Sequence, residues 1–138
     1  MKKIAFIILL SVTTSIAFAQ SREDMQSVLQ ICIDQADLQK YYHKQTVEGK
    51  QHLIIRDDGI VPAYLQVEKF GNPVLYMPVE ELFFYEFDDH LIFRKFDVTE
   101  NNANIEFECG EIKDVITISL TKSNDGWIVK EKQIKWSS

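Results

Sequence analysis

Between Ala103 and Cys109 the chain alternates strictly. Ala103, Ile105, Phe107 and Cys109 are apolar, and Asn104, Glu106 and Glu108 between them are polar. A period of two sends the sets to opposite faces, so the segment predicts a half-buried strand with an acidic outer side. Val115 to Thr121 repeats the pattern, with Ile116, Ile118 and Leu120 on one face and Thr117, Ser119 and Thr121 on the other. Gly110 and the polar residues through Asp114 are the expected turn between them. Ser123-Asn124-Asp125-Gly126 predicts a hairpin, because Asp-Gly tolerates the positive φ that tight turns demand. Trp127 to Trp136 then returns as a further strand. Its alternation breaks at Glu131 to Gln133, where charges fall on both faces, which predicts a bulge or a lysine-protected edge. Leu91 to Val98 supplies a strand with mixed faces, joined to Ala103 by the polar stretch Thr99 to Asn102. Four strands in antiparallel hairpin order follow from this part of the chain.

Upstream the period changes from two to helical. Met25, Val28, Leu29, Cys32 and Ala36 form one apolar stripe, with Gln26, Gln30, Asp34 and Gln35 largely elsewhere. Ser21 is the expected N-cap, with Glu23 and Asp24 in a first turn whose dipole favours acids. The spacing predicts a helix from Arg22 to about Lys40, laid on the apolar face of the sheet. The fold class expected is therefore α+β: one N-terminal amphipathic helix packed on a curved antiparallel sheet of four to six strands.

The middle of the chain is less regular. Thr46 to Gln51 reads as a loop around Gly49, and His52 to Arg56 as a short strand ended by the turn Asp57-Asp58-Gly59. Ile60 to Phe70 is open, with Pro62 arguing against a central strand. Gly71-Asn72-Pro73 reads as a turn, and Val74 to Met77 as extended. Pro78-Val79-Glu80-Glu81 has the signature of a helix start, proline first and carboxylates behind it. Leu82, Phe83, Phe84, Tyr85 and Phe87 would complete that helix, and Asp88-Asp89-His90 would turn the chain into Leu91.

Composition changes the picture at the N-terminus. Lys2 and Lys3, the apolar run Ile4 to Val12 and the small-x-small site Ala17-Phe18-Ala19 predict a secretory signal peptide over residues 1–19. The run falls short of the roughly 20 residues a membrane span needs. A single domain, residues 20–138, would then be exported to the periplasm or beyond, with no membrane span after cleavage. Removing the two lysines takes the formal charge from −6 to −8. An acidic chain argues against a nucleic-acid partner, whose phosphates need a basic patch.

Export gives the cysteines a meaning. Cys32 falls on the buried stripe of the helix and Cys109 on the apolar face of its strand. If the helix covers that face the pair can form a disulfide, closing a long loop worth about 4 kcal/mol. The alternative is a pair of separate buried thiols acting as small hydrophobes.

The common catalytic and cofactor signatures are absent, from glycine-rich phosphate loops to His-Glu-x-x-His and Cys-x-x-Cys. No cofactor or metal is expected. His90 beside Asp88 and Asp89 reads as a solvated turn, and His43 and His52 would have to reach it through the fold to build a proton-transfer or metal site. The aromatics are more suggestive. Tyr41, Tyr42 and His43 form one cluster and Phe83, Phe84 and Tyr85 another, and each either fills core or lines a contact surface for a protein partner or small ligand.

Asn124-Asp125-Gly126-Trp127-Ile128-Val129, entering the last strand, resembles the close of NTF2-like and cystatin-like α+β domains. That resemblance implies a helix over a sheet. The NTF2-like likeness also implies a pocket in which His43, His52 or His90 beside an acid would serve a small hydrolase or isomerase. Asp37-Leu38-Gln39-Lys40-Tyr41-Tyr42-His43 and Lys69-Phe70-Gly71-Asn72-Pro73-Val74 resemble segments of small secreted bacterial proteins of unknown function. Taken together, the sequence favours an exported non-enzymatic domain that binds an unidentified partner or ligand.

Overall fold

The computed structural model describes residues 21–109 and 112–135. The expected signal peptide Met1–Ala19, the expected first mature residue Gln20, the Gly110-Glu111 part of the expected turn, and Trp136 lie outside the described residues. Residues 21–33 form helix α1, followed by a 3-10 turn over Ala36–Tyr41. Strands β1 (Gln45–Val47), β2 (Lys50–His52), β3 (Ile54–Arg56), β4 (Glu68–Lys69), β5 (Asn72–Pro73) and β6 (Leu75–Met77) come next. Helix α2 (Val79–Phe84) leads into β7 (Leu91–Val98), β8 (Asn102–Cys109), β9 (Ile112–Ser123) and β10 (Gly126–Lys135). The architecture is α+β, built on a mixed, mostly antiparallel six-stranded sheet in the order β10-β9-β8-β7-β3-β6.

Strands β7 to β10 follow the alternation closely. Ile105 opposes Ile118 and Phe96, while Phe107 opposes Ile116 and Phe93. Phe93 and Phe107 stack with ring centres 4.9 Å apart. The mixed faces of β7 come from a bulge between Phe93 and Lys95, which inserts Arg94 and sends it out to Glu108 at 2.6 Å. The irregularity expected near Glu131 is a bulge between Val129 and Glu131. Gly126, with φ +118, is the turn residue of the β9–β10 hairpin that leaves the usual L-residue region. Ile112 already belongs to β9, and Asp114, expected in the turn, is a buried strand residue.

Helix α1 buries Val28, Leu29, Cys32 and Ile33 completely, in one cluster with Ile105, Phe107, Ile116 and Ile118. Its C-terminal end differs from expectation. Helix stops at residue 33 rather than Lys40, so Ile33 takes the place on the buried face that the periodicity gave to Ala36, which is exposed. Gln35 is extended, with ψ 126°. The carbonyls left open at the helix end are capped by side-chain amides: Gln35 donates to Ile31 and Gln39 to Ile33. Ser21 is itself helical and so is not the cap it was expected to be. Asp24, one turn in, accepts from Trp127 Nε1 at 3.1 Å and from Lys122 Nζ at 2.9 Å, which ties α1 to the β9–β10 hairpin.

The middle of the chain departs most from expectation. Thr46 to Gln51 is no loop: β1 and β2 pair across a turn in which Glu48 and Gly49 both have positive φ. The expected strand His52–Arg56 is divided, because His52 closes that hairpin while Ile54–Arg56 enters the main sheet. The turn placed at Gly71-Asn72-Pro73 sits one residue earlier, on Phe70 (φ 57) and Gly71 (φ 77). The all-antiparallel expectation is also corrected, since β3 runs parallel to β6 on one side and to β7 on the other. Residues 65–68 lie extended along α1. Leu65 and Val67 point inward, while Gln26 accepts from the Gln66 amide and Gln30 pairs with both backbone groups of Glu68.

Strand β3 has two apolar faces. Ile55 joins the main core, whereas Ile54 joins Met77 and Leu82 in a second, smaller cluster. Helix α2 therefore covers the side of β3 and β6 turned away from the main core, and that placement sets up the candidate site.

Candidate functional site

Helix α2 is short. Pro78, expected as its first residue, is instead its extended N-cap and makes no side-chain capping bond, and the cap that closes the helix is at its C-terminal end. Pro78 has φ −67 and ψ 159, and its carbonyl accepts the N–H groups of Glu81 and Leu82 at 3.1 Å. Glu80 and Glu81 occupy the first turn. At the other end Glu86 adopts a left-handed φ of 57. Its N–H donates to Phe83 at 3.2 Å, and the Phe87 N–H reaches back to Leu82 at 3.0 Å. This is the capping arrangement in which glycine is the usual left-handed residue. Leu82 and Phe87, the residues joined by the longer bond, also meet in the cluster beneath the helix.

One apolar side chain is enough to seat so short a helix, and Leu82 does it at 5 % exposure. The neighbours of Leu82 in sequence must then face outward. Phe83 is 84 % exposed, Phe84 78 % and Tyr85 55 %, with Val79 beside them at 51 %. Phe84 meets Tyr85 edge-on at 5.1 Å, and Tyr85 stacks on Phe87 at 5.5 Å. The rings form a linked row on a braced turn rather than a floppy loop. Large apolar side chains grouped on the outside of a folded chain mark contact surfaces.

The second aromatic group lies elsewhere. Tyr41, Tyr42 and His43 line a cleft of about 10 Å³ with Leu53, Asp89, His90, Leu91 and Cys109. That is room for about one water. Tyr42 does not serve as a surface contact: it is 8 % exposed, and its hydroxyl has no hydrogen-bond partner among the described residues. Burial raises its phenol pKa, with Cys109 and Cys32 adding to the effect. Tyr41 is half-buried under Lys40, whose ammonium lies 5.2 Å from the ring centre.

Cys32 and Cys109 share the core cluster with Tyr42, and of the two alternatives, bridge or separate thiols, the structure has both as free, buried thiols. Burial pushes each thiol up to about 12, with Asp114 and Glu108 contributing at Cys109. Both are therefore neutral thiols near pH 7, poor nucleophiles that pack as small apolar groups.

The histidines divide. His43 Nδ1 lies 3.8 Å from Asp89 Oδ2, beyond hydrogen-bond range. His90 Nδ1 donates to the Phe87 carbonyl at 2.8 Å, which leaves Nε2 as its second ring nitrogen. His52 is buried, and its Nδ1 donates to the Pro73 carbonyl at 2.7 Å, a structural tie between β2 and β5. Among the described residues no three His, Cys, Asp or Glu side chains gather as metal ligands.

A larger groove, about 540 Å³, runs beside α1 and is lined by Gln30, Leu65, Val67, Glu68, Val74 and Tyr76 among others. Two of its polar side chains are already used. Gln30 is paired with the Glu68 backbone, and Tyr76 Oη donates to Leu65 at 2.8 Å. The Gln66 and Glu68 side chains that also line it are exposed, whereas ligand pockets present polar groups that converge within a largely apolar lining.

No family model, no curated protein and no solved structure matches the chain. Among the described residues no helix is long and apolar enough to cross a membrane.

Proposed function

We propose that this chain is an exported, non-enzymatic binding domain whose contact surface is the aromatic turn of α2. Export rests on the lysine pair, the short apolar run and the Ala17-Phe18-Ala19 site. In this reading α1 is the N-terminal amphipathic helix of the mature domain, lying across the inner face of a curved sheet; the complete burial of Val28, Leu29, Cys32 and Ile33 supports it. The observation that carries the binding role is the exposure of Phe83 and Phe84, at 84 % and 78 %, on a helix fixed by Leu82 below and by the cap at its C-terminal end. Site-specific photo-crosslinking tests it, with a benzophenone side chain at position 84 or, as a control, at exposed Ile128. Position 84 gives one discrete adduct that excess wild-type protein competes away and the Phe83→Ser/Phe84→Ser variant does not. Equal labelling from both positions, or competition by the variant, refutes the reading.

A second reading, a small hydrolase or isomerase, draws on the cleft where His43, Asp89, His90 and Cys109 meet. Its small volume and the protonated thiol favour the binding role. Failure to find turnover over a broad ester and amide panel, with His43→Ala and His90→Ala unchanged from wild type, removes it.

A further inference from the structure

Acids flank the rings of the α2 turn along the chain. Glu80 and Glu81 precede Phe83, Phe84 and Tyr85, Glu86 and Asp88 follow them, and all four are exposed. None of these carboxylates belongs to an ion pair among the described residues, a state they share with exposed Glu23, Glu48, Asp57, Glu68, Glu100 and Asp125; what sets the four apart is that they flank exposed rings. The rings themselves differ from several other aromatics. Exposed Tyr64 carries the Arg22 guanidinium 5.4 Å from its centre, and Lys122 lies 6.0 Å from the ring of Trp127. No cation of the described residues lies over Phe83, Phe84 or Tyr85.

Resting on the reading of α2 as a contact surface, we infer that its occupant is a cationic segment of a partner protein, with an apolar face edged by lysine or arginine. The apolar face covers the rings, and the flanking cations meet the free carboxylates and the ring faces, the two interactions this turn leaves unfilled. A second copy of the chain docked through the same patch would set like charges against each other. An anionic lipid surface meets the same repulsion.

The test titrates the purified protein with an amphipathic Leu/Lys helical peptide and with its Leu/Glu counterpart, followed by calorimetry and by the NMR signals of the α2 residues. The lysine peptide binds and shifts those signals, and the glutamate peptide does not. Phe83→Ser/Phe84→Ser weakens binding by about tenfold or more, as expected of central ring contacts. Glu80→Gln/Glu81→Gln/Glu86→Gln/Asp88→Asn, with the rings intact, weakens it by a similar factor, as does salt raised to about 1 M, where the Debye length falls to about 3 Å. The ring variant keeps the net charge, so unspecific attraction to an acidic protein would survive in it. If the peptides bind alike, or the charge-neutral variant binds as wild type does, the cationic partner is wrong while the contact surface stands. If the ring variant binds undiminished, both are wrong. Ring-dependent partition onto phosphatidylcholine vesicles, or ring-dependent dimerisation in sedimentation, overturns the inference in favour of a lipid surface or a second copy.

Discussion

Replacing both exposed phenylalanines, Phe83→Ala/Phe84→Ala, separates a contact surface from misread core. Burying a phenylalanine fully contributes about 1.5–3 kcal/mol. Phe83 and Phe84 are 84 % and 78 % exposed, so only about a sixth and a fifth of that is at stake in the fold. The loss is below about 1 kcal/mol in total, and alanine's better helix propensity offsets part of it. Phe107→Ala is the internal standard. Phe107 is 0 % exposed and stacks on Phe93 at 4.9 Å, and such a truncation costs about 3–5 kcal/mol. In thermal melts, where 1 kcal/mol corresponds to about 3–5 °C for a domain of this size, the double variant shifts Tm by less than about 5 °C. Phe107→Ala lowers it by about 10 °C or more. Urea melts check that both retain the wild-type m-value. A double variant as destabilised as Phe107→Ala would mean that the rings are packed in solution, and the contact surface would be lost with that result.

The other predictions concern the cap, the thiols and the helix tether. Glu86→Gly relieves a left-handed φ of 57 at the α2 cap and raises stability by about 0.5–1 kcal/mol, read as a rise in Tm; a fall would show that the carboxylate has a partner. Cys32 and Cys109 are slow towards a thiol reagent in the native protein and give two thiols in denaturant, whereas no thiols in denaturant would reveal the bridge. Both folded thiols are raised from 9.0 to about 12, so the unfolded chain releases its protons first. Stability from this source is complete below about pH 9 and is lost as pH climbs towards about 12; urea melts of wild type and Cys32→Ala show a shallower alkaline decline in the variant. Asp24→Ala removes the acceptor for Trp127 Nε1 and Lys122 Nζ and costs about 1–3 kcal/mol, with a change in tryptophan emission; unchanged emission would mean that Trp127 keeps its surroundings without it.

The strands β7 to β10 were legible because each keeps one wet face, so burial is written into the sequence as alternation. Even the bulge in β10 left a trace, in charges that fall on both faces near Glu131. The β1–β2 hairpin left none: Gln45-Thr46-Val47 and Lys50-Gln51-His52 are polar or half-exposed on both faces, and only Glu48-Gly49 hints at the turn. The parallel pairing of β3 with β6 and β7 joins residues distant in the chain, and no local pattern records it. Ile54-Ile55 looks like a buried run, but which isoleucine faces which layer depends on α2 having a cover position. The end of α1 was misplaced because Ala36 and Ile33 both fit a helical stripe, and the Gln35 and Gln39 amides that cap Ile31 and Ile33 carry no sequence signature.

The candidate site was half legible. Pro78 and the two glutamates announced α2, and the aromatic density drew notice. An apolar run such as Leu82-Phe83-Phe84 nonetheless reads equally well as core. Its exposure follows from the layer below, where Ile54 and Met77 need one partner and Leu82 fills the place. Of the other candidate cluster, Tyr41, Tyr42 and His43, Tyr42 is drawn into the main core beside Cys32 and Cys109 while His43 stays exposed, a division that adjacent residues do not announce. Glu80 and Glu81 read as a helix start and Asp88 as a turn, which hid that none of them has an ion-pair partner among the described residues.

Hydroxyl-radical footprinting of the protein in cultures of cells that make it, set against the purified protein, tests the aromatic turn most directly. Phe83, Phe84 and Tyr85 oxidise readily in the purified protein and are protected in culture, while exposed Tyr64 and Ile128 label alike in both. Equal oxidation of the α2 rings in the two settings would contradict a partner seated on them.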